Sequence, residues 1–192
     1  MVYELVTTIK SKGYFAGFLI GICKILMAII SHSWLLFIHA VYNIIKTCAR
    51  HYATREKEDH YKTMFYCGFL VIAASVIYLV YSVYIYCFGS KAFYHMYIAI
   101  GIAAVTTYEL IVSIHGLKKA RKKRDVQEET VKYINLASAL ISVSLTQTAI
   151  LSFTNETDMS KVYSVGDAVF GFLALLVGIF MLLRANKLEK IE

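Results

Sequence analysis

Four apolar runs of membrane-spanning length decide what this chain can become: Tyr66–Phe88, Phe93–His115, Val131–Phe153 and Tyr163–Leu183. The hydrocarbon core of a bilayer is ~30 Å thick, and a helix needs ~20 apolar residues to cross it. One soluble core in a chain of 192 residues cannot hide four such runs. Composition agrees, since 58% of the residues are hydrophobic, against ~45–50% in soluble domains. Proline, which interrupts spanning helices in many transporters, is absent. The sequence therefore predicts an all-α membrane protein. Residues 63–192 form a four-transmembrane-helix bundle of straight helices, and residues 1–62 hold two amphipathic helices and a charged linker.

Charge sets the threading. Between the second and third runs lie Lys118, Lys119, Arg121, Lys122, Lys123 and Arg124, six cations in seven residues. Short loops rich in Lys and Arg stay on the cytoplasmic side during insertion. This loop and both termini are therefore expected in the cytoplasm, with Arg184, Lys187 and Lys190 flanking the last run on that side. Tyr81, Tyr84, Tyr86 and Phe88, then Phe93, Tyr94 and Tyr97, cluster at the other end as an interfacial aromatic belt. The net charge of +7 is thus read as topology, not as a nucleic-acid footprint. The first partner implied is the lipid bilayer, with attraction to anionic lipid as a by-product.

The N-terminal region has helical periodicity. Lys10, Gly13, Gly17, Gly21, Lys24, Ala28 and Ser31 recur at spacings of three or four, and His39, Asn43, Lys46 and Arg50 do the same in Trp34–Arg50. Lys24 interrupts the first apolar stretch and no small-x-small site follows it, so a cleaved signal peptide is not expected. Trp34–Ile45 would be only ~18 Å long as a helix. Tyr14–Ile45 is accordingly expected in the cytoplasmic-side interface or as a shallow hairpin. Gly13, Gly17 and Gly21 also form a small-x-x-x-small face, suited to a second copy or another membrane protein. Thr47–Lys62 reads as a solvated cytoplasmic helix or linker. Cys23, Cys48, Cys67 and Cys87 show no Cys-x-x-Cys spacing and read as small apolar residues.

The residue that most invites a role is Glu109, ~10 Å inside the expected cytoplasmic boundary. A charged carboxylate at such depth costs ~2.5–3.5 kcal/mol on insertion scales. It shares a helical stripe with Thr106 and Ser113, and the third run offers Asn135, Ser138 and Ser142 at similar depth. These six residues make a candidate intramembrane polar site. Gln147 and Asp167 are outer-side candidates, with Asp167 only ~6 Å below the outer boundary and so expected to reach water. Ser164, Asp167, Gly171, Ala174 and Gly178 make a further small-residue stripe.

No His-Glu-x-x-His, Gly-x-Ser-x-Gly, Walker or dinucleotide motif is present. No catalytic, metal-binding or cofactor-binding residues are therefore expected, and no cofactor. Ile134-Asn135-Leu136-Ala137-Ser138-Ala139-Leu140, with Leu145-Thr146-Gln147-Thr148-Ala149, resembles uncharacterised multi-span membrane proteins of low-GC Gram-positive bacteria. That resemblance implies a bacterial cell membrane and no particular activity. Two function classes stand. One is a non-enzymatic protein-interaction or accessory component that associates through its small-residue stripes. The other is a transporter or channel component for ions or small solutes, built around Glu109.

Overall fold

A computed structural model describes residues 34–54, 59–89, 96–154 and 159–189, with Ile22, Ile25, Leu26 and Ile29 as isolated helical positions. The described residues are helical and contain no strand. The helices are α1 (Trp34–Thr54), α2 (His60–Phe88), α3 (Met96–Lys123), α4 (Val126–Thr154) and α5 (Ser160–Glu189). Three stretches are long and apolar enough to cross a membrane: α2, Val126–Leu151 of α4, and α5. The expected second span, Phe93–His115, falls on α3, which is not among those three; residues 93–95 lie outside the described residues. The Gly13–Gly17–Gly21 face also lies outside them.

Local chemistry sets the helix ends. Asp59 caps α2, its carboxylate accepting from the Lys62 amide at 3.4 Å. Gly89 ends α2 at φ 72°, a left-handed conformation that suits a residue without Cβ. The α3–α4 connection is shorter than the sequence suggested. Lys118–Lys123 is the end of α3, not a loop, and only Arg124 and Asp125 turn the chain. Lys, Arg and Ala are good helix formers, and cations near a helix C-terminus oppose its dipole favourably. Arg124 adopts φ 58°. Its amide donates to the Arg121 carbonyl at 3.2 Å, and that of Asp125 to the Ala120 carbonyl at 3.3 Å. These are the two bonds of a Schellman motif. Asp125 then caps α4, accepting from the Glu128 amide at 2.8 Å.

Consecutive helices run in opposite directions, and α4 touches all four others. The closest crossing joins α2 to α5 through glycines. A Cβ on Gly68 would lie 3.2 Å from the Gly178 carbonyl oxygen, and one on Gly178 would lie 3.2 Å from that of Gly68. The small-residue stripe of α5 is its buried face: Ser164, Asp167, Gly171, Ala174 and Gly178 are all buried. Met64, Cys67, Val71, Ala74 and Tyr78 of α2 complete the core with Ile134, Ala137 and Ile141 of α4.

The position of α1 differs from the expected one. Its helix, expected over Trp34–Arg50, runs for 21 residues to Thr54, or about 31 Å at 1.5 Å per residue. It also lies along the bundle. The Tyr52 and Tyr66 rings are 6.2 Å apart, the Cys67 thiol donates to the Ala49 carbonyl at 3.5 Å, and the His39 ring stands edge-on to Tyr78 at 5.6 Å. Residue numbers fall on α1 as they rise on α2, so the two are antiparallel and α1 begins near the aromatic end. Its apolar part, Trp34–Ile45, remains short, and α1 is not among the three stretches long and apolar enough to cross a membrane. Ala49 and Ala53 carry the buried face onward.

Candidate functional site

Two polar clusters are built where α4 meets α5, one inside the bundle and one at its basic end. The interior cluster holds Tyr78 of α2, Ser144 of α4 and Asp167 of α5, each with under 2% of its surface exposed. The Tyr78 hydroxyl lies 2.8 Å from Ser144 Oγ and 3.2 Å from Asp167 Oδ1. Ser144 Oγ also donates to Asp167 Oδ1. Asp167 Oδ2 is buried and has no hydrogen-bond partner among the described residues. Gly166, the residue before Asp167 on α5, leaves room for the Gln147 side chain; a Cβ there would collide with the Gln147 amide. Gln147 and Asp167, the outer-side candidates, are thus neighbours in the fold. Asp167 does not reach water as expected, because its stripe turns the carboxyl into the α2–α4–α5 core. Axial distance from a helix end says nothing about which way a residue faces.

The second cluster escaped the sequence analysis. Glu129, in the first turn of α4, is 1% exposed and receives two guanidinium groups. Arg121 Nε of α3 stands 3.3 Å from Glu129 Oε1, and Arg184 Nε of α5 stands 3.4 Å from the same oxygen. Arg121 also donates through Nη2 to the Tyr133 hydroxyl and lies 5.4 and 5.2 Å from the Tyr133 and Phe180 ring centroids. Two cations and two aromatic rings thus enclose one buried carboxylate, which further gains from the α4 N-terminal dipole. All the topology determinants are exposed; Arg121 nevertheless reaches Glu129 and Lys123 pairs with Glu128 at 3.7 Å. The signal available in the sequence was the acid at the start of α4, opposite a lone arginine at the end of α5.

The Glu109 seam forms in part. Thr106 and Ser113 are buried on the α3 face that meets α4. Thr106 Oγ1 donates to the Ser142 carbonyl at 3.4 Å, and Thr146 Oγ1 lies 3.1 Å from both Thr106 Oγ1 and that carbonyl. Ser113 Oγ donates to the Glu109 carbonyl of its own helix at 2.7 Å. Ser138 is buried and Asn135 half-buried on α4. The Glu109 side chain is half-buried at the edge of this seam. Among the described residues its carboxylate makes no hydrogen bond or ion pair, so Asn135, Ser138 and Ser142 are not brought onto it. The described residues contain no group of three or more His, Cys, Asp or Glu able to hold a metal ion.

No family model, curated protein or solved structure matches this chain.

Proposed function

We propose that the chain is a non-enzymatic, multi-pass protein of a bacterial cell membrane that works by associating with another membrane protein or a second copy of itself. Its four apolar runs lie across the bilayer, with the basic turn and both termini on the cytoplasmic face. The observation that carries this reading is Glu109. Apart from the Arg121 side chain over Phe180 of α5, helix α3 packs on α4 alone among the described helices. Its remaining faces expose Tyr97, Ile100, Tyr108, Ile111 and Ile114. Lipid accommodates those side chains but not a half-buried carboxylate at the edge of the same helix, which costs ~2.5–3.5 kcal/mol on insertion scales. A protein segment with a hydroxyl, amide or basic group beside Glu109 removes that cost.

The hydrogen bonds among Thr106, Thr146 and Ser142 close the seam side to side, which favours association over passage of an ion along it. A photo-crosslinking residue in place of Tyr108 tests the reading in the native membrane. A stoichiometric protein adduct is expected; adducts to lipid alone refute it. Glu109→Gln in proteoliposomes tests the transport alternative. An active parent beside a folded variant without ion- or pH-dependent flux promotes that alternative.

A further inference from the structure

We propose that Tyr78, Ser144 and Asp167 form an intramembrane proton-binding site, in which the Asp167 carboxyl holds the proton. The argument is a count of hydrogens. Three oxygens meet pairwise: Tyr78 Oη with Ser144 Oγ, Tyr78 Oη with Asp167 Oδ1, and Ser144 Oγ with Asp167 Oδ1. A hydrogen bond needs one hydrogen between its two oxygens, and the two hydroxyls supply only two. With the carboxyl ionised, two hydrogens serve three contacts and one pair of oxygens is left with none between them: Tyr78 and Ser144 at 2.8 Å if both hydroxyls point at Oδ1, or Tyr78 and Asp167 at 3.2 Å if Tyr78 donates to Ser144. A proton on the carboxyl closes the ring. Asp167 donates to one hydroxyl, that hydroxyl to the other, and the second back to Oδ1.

The second carboxyl oxygen points the same way. Oδ2 is buried without a partner. As half of an anion it would be a desolvated charge; as the carbonyl oxygen of a neutral acid its isolation costs far less. Among the described residues no cation is ion-paired with Asp167. The titratable groups around the cluster are Tyr78 and Tyr81 of α2, His39 and Tyr42 of α1, and Tyr163 of α5. His39 stands edge-on to the Tyr78 ring at 5.6 Å, and Ser75 Oγ donates to the Val71 carbonyl. At this level α4 offers the Ser144 and Thr148 hydroxyls and the Gln147 amide, none of them charged. Release of the proton therefore requires water or a cation to enter between α2, α4 and α5, so proton exchange at Asp167 reports opening of that junction.

Infrared spectroscopy of the full chain in lipid vesicles reads the site directly. At neutral pH the protein should show a protonated-carboxyl C=O band that disappears in Asp167→Asn and persists in Glu109→Gln. A spectrum of Asp167→Asn with the same band as the parent overturns the proposal. Ser144→Ala keeps the carboxyl and removes one ring member, which covers the case in which Asp167→Asn does not fold. The band should then remain but shift in frequency; an unshifted band, or none in the parent, also overturns the proposal.

Discussion

Gly178→Ala and Gly116→Ala add the same methyl group at two helix crossings, and the structure requires opposite signs. At Gly178 the new Cβ would lie 2.7 Å from Ile72 Cγ1, 3.1 Å from the Ile72 amide nitrogen and 3.2 Å from the Gly68 carbonyl oxygen. Two of these obstacles are backbone and the third is a β-branched side chain with one strongly preferred rotamer. Only separation of α2 from α5 relieves them. At Gly116 the clash is nominally worse, 2.6 Å from Lys132 Cε, 2.7 Å from Cδ and 2.9 Å from Nζ. All three atoms belong to the far end of a flexible lysine, which can swing away.

Each substitution gains ~0.8–1.0 kcal/mol of helix propensity. At Gly178 an overpacking cost of ~1–3 kcal/mol opposes this gain. Gly178→Ala should thus be destabilising by about 0–2 kcal/mol and Gly116→Ala stabilising by up to about 1. Reversible unfolding in mixed detergent micelles, followed by circular dichroism, measures both. Gly116→Ala at or below the stability of Gly178→Ala would refute the assignment of rigid and yielding neighbours.

Glu129→Gln removes the carboxylate from between Arg121 and Arg184 and should cost about 1–3 kcal/mol, below the ~3–5 of a fully buried pair because both arginines can rehydrate; Glu128→Gln, at an exposed pair, should stay within ~0.5 kcal/mol, and the same unfolding assay compares them. The Asp59 carboxyl titrates below its ordinary value, chiefly through its hydrogen bond with Lys62. The capping contribution of Asp59 to α2 is thus present above the usual carboxylate range and lost as pH falls through the lowered value; nuclear magnetic resonance titration should show Lys62→Ala returning the midpoint toward normal. Reporter fusions after Glu192 and within Lys118–Arg124 should both read cytoplasmic, while a cysteine at Trp34 should react with a membrane-impermeant reagent from outside, since α1 begins at the aromatic end. Labelling of Trp34→Cys only after permeabilisation would refute that placement of α1.

Much of the helical framework was legible because hydrophobic length and small-residue periodicity are local properties. Ser164 to Gly178 could be read as one face of a helix, and that face is the buried one. Thr106 and Ser113 were likewise placed on the buried side of α3. What could not be read were partners. Glu129 looks like any acid in a polar turn until α5 brings Arg184 back beside it. Asp167 lies near a helix end in sequence, and only the meeting of three helices decides that it faces Tyr78 and Ser144. Helix α1, legible from periodicity over Trp34–Arg50, continues one turn further to Thr54, where Ala53 still packs.

The attachment of α3 has a mechanical consequence. Among the described residues the ion pairs of this helix, Arg121–Glu129 and Lys123–Glu128, both stand at its basic end, beside the two-residue turn. It behaves as a lever with its fulcrum at that end. For a helix ~42 Å long, a tilt of about 5° moves the far tip by ~4 Å while the fulcrum stays nearly still. Glu109 lies near the middle of the arm and travels about half as far. A force applied at Met96 would thus shear the Thr106–Thr146 contact before it disturbed the arginine clamp.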